Sequence, residues 1–141
     1  MECEFPADNA SDTQVKNILE KYKKVAVVGL SSNPEKDSYR VAEYLLNNGY
    51  QVIPLNPKSD EILGEKVYRT LKDIPEPVEI VCLFRPPDQV PPFVDDAIDI
   101  KAKVVWMQLG IANNEAAEKA RNAGLEVVMN KCIKIEHTNF F

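Results

Sequence analysis

A short polar turn is the part of the sequence best suited to hold an anion. It begins at Gly29, contains the hydroxyls of Ser31 and Ser32, and follows an apolar run typical of a buried strand. Lys36 and Arg40 come soon afterwards and would supply positive charge. A glycine and small hydroxyl residues ahead of a helix offer backbone N–H groups and side chains that suit a diphosphate. An ordinary connection between a strand and a helix is the alternative interpretation.

The residues at the end of the next apolar run argue against NAD as the ligand. That run ends in Asn56, Pro57 and Lys58, where an NAD-binding domain usually has an acid for the ribose hydroxyls. The polar turn also has only Gly29 in place of the several glycines of a dinucleotide fingerprint. A lysine at this place suits a phosphorylated ribose instead.

Polar side chains also follow three later apolar runs. Arg85, between Phe84 and Pro86, offers a planar cation that can stack on a base or bind a phosphate. Gln108 and Asn130 carry amides that could pair with amides of a ligand. The alternatives are that the prolines only end a strand and that each amide caps its own loop.

The apolar runs and the segments between them indicate an α/β fold. Strands are predicted at 25–30, 51–55, 80–84, 104–107 and 125–129, since these runs are too continuous for half-exposed strands. Helices are predicted at 12–22, 39–48, 90–100 and 113–123, with Asp88 and Asn113 as N-caps of the last two. A short additional strand is predicted around Val67.

Strands that alternate with helices predict a doubly wound, Rossmann-like sheet. The sheet is expected to be mostly parallel, with five or six strands, in the order 3-2-1-4-5, and with helices on both faces. Ligands of such sheets bind at the carboxyl ends of the strands. The candidate binding residues are therefore those after the strands: Gly29, Ser31, Ser32, Lys36, Arg40, Asn56, Pro57, Lys58, Phe84, Arg85, Pro86, Gln108, Asn130 and Cys132.

Length and composition narrow the class of protein. A chain of 141 residues is the size of one domain, so we expect a single unit over 1–141, with 1–23 as an N-terminal helix and lead-in. A net charge of −5 argues against nucleic-acid binding. No apolar run approaches the ~20 residues of a membrane span, and no basic, apolar leader is present, so a cytoplasmic location is expected. One histidine and unpaired cysteines predict no metal site.

The sequence resembles the small stand-alone CoA-binding domain proteins, whose fold is that of the nucleotide-binding domain of the succinyl-CoA synthetase α subunit. The segments that carry the resemblance are 27–34, 52–57, 62–68, 104–110 and 129–137. The chain departs from the family's usual pattern at Leu30, where the family often has Ala, and at Asn130, where it often has Asp.

This resemblance implies coenzyme A as the cofactor and assigns roles to the candidate residues. Gly29, Ser31 and Ser32 would hold the diphosphate, and Pro57 and Lys58 would lie beside the adenosine. The segment 84–86 would border the adenine and the start of the pantetheine arm. Asn130 and Cys132 match a segment that in the synthetase leads toward the catalytic region. The synthetase's phosphorylated histidine belongs to a second domain, so His137 does not inherit its role.

The cysteines raise the question of catalysis. Cys132 is the best candidate nucleophile, because Lys131 and Lys134 would favour its thiolate. Cys82 lies inside an apolar run and is expected in the core, and Cys3 is expected to be inert. His137 could act as a base for Cys132, but a structural role is the more common one for such a residue.

Three functions are consistent with the sequence. The first is a non-catalytic carrier, sensor or regulatory module that binds CoA or an acyl-CoA. The second is a small enzyme that uses Cys132 for thiol or acyl-CoA chemistry, including a mixed disulfide with CoA. The third is an interaction protein with a vestigial pocket, which would pair as a homodimer or with another protein through a C-terminal strand at 133–135 and a Phe140–Phe141 tail.

Overall fold

The apolar runs form one parallel sheet in the computed structural model, which describes residues 5–141. The prediction for Cys3 lies outside the described residues. The sheet has the order β2-β1-β5-β6-β7, and every neighbouring pair is parallel. A short antiparallel hairpin, β3-β4, is not hydrogen-bonded into this sheet and forms a two-stranded sheet of its own. The strands are β1 (Lys24–Val28), β2 (Gln51–Leu55), β3 (Glu61–Ile62), β4 (Glu65–Lys66), β5 (Ile80–Leu83), β6 (Val104–Met107) and β7 (Glu126–Val128).

The doubly wound arrangement is confirmed. The structure also shows which segment lies at the edge of the sheet beside β2. The strand predicted at 80–84 pairs with β1, so that Val28 lies opposite Leu83. The outer edge of β2 is already used by Tyr68, which forms a parallel bridge with Leu55 and whose N–H donates to Pro54 O at 2.9 Å. If the Tyr68 segment is counted as strand 3, the short strand predicted around Val67, the strands lie across the sheet in the order 3-2-1-4-5-6. Counted without it, the five main strands have the order 2-1-3-4-5.

Within residues 5–141 five α-helices cover the sheet, and two of them start at a residue whose side chain caps the helix. Ser11 accepts a hydrogen bond from Gln14 N at 3.2 Å, and Asn113 accepts one from Ala116 N at 3.0 Å, as predicted for Asn113. Asp88 does not cap its helix, because it lies within a short 3-10 turn at Pro87–Gln89. Gln89 holds the N-cap position and makes no side-chain bond, since Pro91 and Pro92 in the first turn have no N–H to donate. The helices are α1 (Asp12–Lys21), α2 (Asp37–Asn47), α3 (Val90–Asp99), α4 (Asn114–Asn122) and α5 (Ile133–Phe140).

The C-terminal segment is helical, so the strand predicted at 133–135 is wrong. Ile133 is fully buried, whereas Ile135 is 50% exposed. Residues two apart share one face of a strand but point in different directions on a helix. The first N–H of α5, on Ile133, donates to the side-chain oxygen of Gln108 at 3.0 Å. This bond anchors the start of α5 against the end of β6.

Buried apolar side chains fill both faces of the sheet. Along β5, Val81 and Leu83 pack with α3 and α4, while Ile80 and Cys82 pack with α1, α2 and the start of α5. The prediction that Cys82 belongs to the core is confirmed. None of the helices in residues 5–141 has the length and apolar character needed to cross a membrane. The layers on both faces leave the carboxyl edge of the sheet to the connecting turns.

Candidate functional site

The turn after β1 lies directly against the turn after β5. Gly29 has φ +82°, a left-handed conformation that side chains disfavour. A Cβ atom at Gly29 would lie 2.8 Å from the carbonyl oxygen of Phe84 and 3.1 Å from Cδ of Arg85. Glycine is therefore required both for the conformation and for the approach. This contact brings the predicted anion-binding turn next to Arg85, as the sequence interpretation requires.

Internal hydrogen bonds hold the turn after β1 in shape. Ser31 N donates to Ser38 Oγ at 2.9 Å, and Ser31 Oγ accepts from Asn33 N at 3.0 Å. Within residues 5–141 the N–H of exposed Ser32 has no hydrogen-bond partner. The N-cap of α2 is Lys36, which makes no side-chain capping bond. The turn is thus fixed by Ser31, while Ser32 and the first turn of α2 keep donors available for an anion.

The turn after β2 is tied to the turn after β1 through Asn56. Its side-chain nitrogen donates to Leu30 O at 2.9 Å, and its side-chain oxygen accepts from Lys58 N at 2.8 Å and Ser59 N at 2.9 Å. Asn56 therefore has a structural part in the site. The Lys58 side chain is exposed and has no ion-pair partner in the described part of the chain.

A groove of about 210 Å³, here called the Arg69 groove, lies between these turns. Arg69 donates to Asn56 O at 3.0 Å and to Ser59 O, and it pairs with Asp60 at 2.9 Å. Sequence reasoning missed Arg69 and Phe93; Arg69 follows the short strand around Val67, which is the signal that could have found it. The groove is lined by Val28, Gly29, Leu55, Asn56, Pro57, Arg69, Arg85 and Phe93.

A second space of about 380 Å³, the Cys132 cavity, lies among the ends of β5 and β6 and the starts of α2 and α5. Phe84 lines this cavity and its neighbour Arg85 lines the Arg69 groove, so the two spaces adjoin at the turn after β5. The cavity is lined by Asp37, Arg40, Val41, Phe84, Gln108, Leu109, Ile111, Cys132, Lys134 and Ile135.

The two amide residues predicted as ligand contacts have different positions. Gln108 is 3% exposed and lines the Cys132 cavity, and its oxygen faces both Ile133 N at 3.0 Å and Cys82 Sγ at 3.4 Å. Asn130 lines neither space. It has φ +56°, and its side chain accepts from Gly110 N at 2.7 Å, so it holds its own loop.

Eight of the predicted residues line the two spaces, and six do not. Those that do are Gly29, Arg40, Asn56, Pro57, Phe84, Arg85, Gln108 and Cys132. Ser31, Ser32, Lys36, Lys58, Pro86 and Asn130 lie on the surrounding turns. A larger open depression of about 530 Å³ lies at the end of α1 and the start of β7, and it contains none of the predicted residues.

The residues around Cys132 provide little for acid–base chemistry. His137 Nδ1 lies 2.7 Å from the Tyr44 hydroxyl, and its ring stacks on Phe141; no hydrogen bond joins it to Cys132 in residues 5–141. Burial, with a smaller effect of Lys23, lowers the pKa of His137. Burial raises the pKa of the Cys82 thiol, with a smaller contribution from Cys132. Residues 5–141 contain no cluster of three or more His, Cys, Asp or Glu that could hold a metal.

Comparisons with known proteins identify relatives of this chain. The uncharacterized protein YneT of Bacillus subtilis is 40% identical over 129 residues, which are 92% of this chain and 96% of YneT. The structure of a hypothetical protein from Pyrococcus horikoshii OT3 superposes with a TM-score of 0.91, at 45% identity over 99% of each chain. The ADP-forming acetate–CoA ligase of Methanocaldococcus jannaschii is 25% identical over 125 residues, which are 83% of this chain and 18% of the ligase.

The size of the matched region differs between these relatives. The chain spans nearly the whole of YneT and of the Pyrococcus protein, but less than a fifth of the ligase. The family model described as a CoA binding domain matches residues 23–138, which include all seven strands and all of the turns that form the site. The chain therefore belongs to the CoA-binding domain family, and its Rossmann-like fold is the one found in the family's small stand-alone members.

Proposed function

We propose that the chain binds coenzyme A or an acyl-CoA along the carboxyl edge of its sheet, as a non-catalytic carrier, sensor or regulatory module. The observation that carries the proposal is the contact of Gly29 with Phe84 and Arg85. This contact makes one continuous edge from the Arg69 groove to the Cys132 cavity. An extended ligand with a nucleotide at one end and a flexible arm at the other suits such an edge.

The turn after β1 is the proposed diphosphate site. A phosphate there would meet the open N–H of Ser32 and the uncapped, positive end of α2. Lys36 and Arg40, both exposed at the first turn of α2, would add positive charge. Glu35 and Asp37 lie in the same segment and balance these two charges, so the backbone N–H donors would supply most of the attraction for the phosphate.

The Arg69 groove is the proposed site of the adenosine end. Arg85 and Phe93 offer a planar cation and an aromatic ring to a base. Lys58, beside Pro57, is the proposed partner of the 3′-phosphate, because it is exposed and unpaired in the described part of the chain. From the turn after β5 the pantetheine arm would run past Phe84 into the Cys132 cavity.

Isothermal titration with CoA, 3′-dephospho-CoA, NAD, FMN and ATP tests the proposal. CoA is expected to bind more tightly than each of the other nucleotides. Binding of NAD in preference to CoA, or no binding of CoA at all, would overturn it.

The enzyme hypothesis has one observation in its favour, namely that Cys132 lines the cavity proposed for the pantetheine arm. Mass spectrometry of the protein after incubation with CoA disulfide tests it. A CoA adduct on the wild-type protein that is absent from the Cys132→Ser variant supports thiol chemistry at Cys132. The absence of an adduct on the wild-type protein excludes a mixed disulfide between Cys132 and CoA. A cytoplasmic location and a homodimer remain predictions.

A further inference from the structure

The amide of Gln108 has one end in use and the other end open. The backbone N–H of Ile133 can only donate, so the atom 3.0 Å away from it must be the side-chain oxygen. The amide nitrogen, Nε2, therefore points away from Ile133. Within residues 5–141 this nitrogen has no hydrogen-bond partner.

The position of Gln108 in the cavity wall indicates that this nitrogen faces the Cys132 cavity. Gln108 is 3% exposed and is among the residues that line the cavity. In the described part of the chain, no fully buried side-chain nitrogen or oxygen lacks a partner, so Nε2 retains some accessible surface. A nearly buried donor that faces a cavity is satisfied when a ligand supplies an acceptor there.

The walls around this donor combine apolar side chains with the charged Asp37, Arg40 and Lys134. Val41, Phe84 and Ile111 belong to the apolar part of the lining. Leu109 and Ile135, which are 64% and 50% exposed, complete the rim. Large apolar side chains left in contact with water beside a cavity indicate a surface that a partner or ligand covers.

We infer that the Cys132 cavity is a subsite for the acyl group of a short-chain acyl-CoA. The inference rests on the proposed binding of CoA. It adds that the protein binds the acyl thioester of CoA more tightly than CoA with a free thiol. A thioester carbonyl supplies one acceptor for Nε2 of Gln108, and a short hydrocarbon chain covers Leu109 and Ile135. A free thiol supplies neither.

Titration of CoA, acetyl-CoA and butyryl-CoA under reducing conditions tests the hydrocarbon part. A fully buried methylene strengthens binding about fourfold, so butyryl-CoA, with two more methylenes, is expected to bind about fifteenfold more tightly than acetyl-CoA. Leu109→Asn and Ile135→Asn are expected to reduce this ratio to about twofold or less, because each removes apolar surface from the rim. Phe5→Asn is the matched control, since Phe5 is 90% exposed and lines no part of the cavity, and it should keep the full ratio.

A thioether analogue, S-butyl-CoA, tests the carbonyl part. The wild-type protein is expected to prefer butyryl-CoA over S-butyl-CoA about fivefold, the contribution of one hydrogen bond. Gln108→Glu keeps an oxygen for Ile133 N but replaces the donor, so this preference should be lost. The exposed rim variants keep the inference testable if Gln108→Glu does not fold.

The outcomes separate this inference from the proposed function. Binding of CoA with equal or weaker binding of butyryl-CoA overturns the acyl subsite and leaves CoA binding intact. Failure of every CoA species to bind overturns both. If Leu109→Asn and Ile135→Asn convert a dimer to a monomer in light scattering while the butyryl-to-acetyl ratio is unchanged, the rim is an interface between copies and the inference is wrong.

Discussion

Replacement of Gly29 by alanine tests the contact on which the whole edge depends. The left-handed backbone at φ +82° costs an alanine about 1–2 kcal/mol. The new Cβ would also lie 2.8 Å from the Phe84 carbonyl oxygen, which belongs to the backbone and cannot rotate away. Forcing an extra methyl group into such a contact costs about 1–3 kcal/mol. The expected loss in the free energy of unfolding for Gly29→Ala is therefore about 2–5 kcal/mol.

Gly49→Ala separates the two contributions. Gly49 has φ +85°, nearly the same conformation, but a Cβ there would meet nothing within 4 Å. This variant should lose only the conformational part, about 1–2 kcal/mol. Urea unfolding measures both losses, provided that the slope with denaturant is unchanged. Titration with CoA should then show weaker binding for Gly29→Ala alone.

Two results would refute this reasoning. Equal destabilisation of the two variants would mean that the approach of Phe84 to Gly29 carries no steric constraint. Unchanged CoA affinity in a folded Gly29→Ala protein would mean that this turn does not hold the diphosphate.

Three further predictions use single residues of the site and its supports. Lys58→Ala should weaken the binding of CoA more than that of 3′-dephospho-CoA in titration. Lys16→Ala, at another exposed lysine, should leave both affinities unchanged. Equal losses of affinity for the two ligands in Lys58→Ala would contradict the assignment of Lys58 to the 3′-phosphate. Because the folded-state pKa of His137 is lowered from 6.5, the unfolded chain takes up the proton first, so stability should fall as the pH drops through and below that value. His137→Gln should flatten this part of the urea-denaturation profile, and an unchanged profile would contradict the assignment. Asn130→Ala should lower the free energy of unfolding by about 1–3 kcal/mol, because it loses the hydrogen bond from Gly110 N and keeps a left-handed backbone at φ +56°. Asn130→Gly should lower it less, because glycine tolerates this conformation. A larger loss for Asn130→Gly in urea unfolding would contradict this.

The strands and most helices were predictable because burial on two faces leaves a clear pattern in the sequence. All four residues of β5 and of β6 are buried, and both read as continuous apolar runs. Asn113 caps α4 through a bond to a residue three positions away, which a local pattern contains. The membership of the CoA-binding domain family was likewise confirmed.

The C-terminal helix was not predictable from its own sequence. Ile133 and Ile135 alternate with polar residues, which fits a strand as well as one turn of helix. The contact that anchors the helix joins Ile133 to Gln108, 25 positions away. No local pattern contains that information.

The meeting of these turns at one edge of the sheet was predictable, but the hydrogen bonds of their polar residues were not. The carboxyl ends of parallel strands must meet at one edge, so the turns that follow them could be expected to lie together there. Asn56, Gln108 and Asn130 use side-chain atoms to hold neighbouring turns, which depends on distances that only the folded chain supplies. Arg69 was missed because the strand before it makes a single bridge to β2.

The three side-chain hydrogen bonds of Asn56 have a consequence for the kinetics of ligand binding. They join Leu30, Lys58 and Ser59, so one wall of the Arg69 groove is assembled before any ligand arrives. A preassembled wall needs no ordering during the encounter, so association should proceed in one step at a rate that rises linearly with ligand concentration. Amide hydrogens of the Asn56 turn should exchange slowly with solvent in the empty protein as well as in the complex.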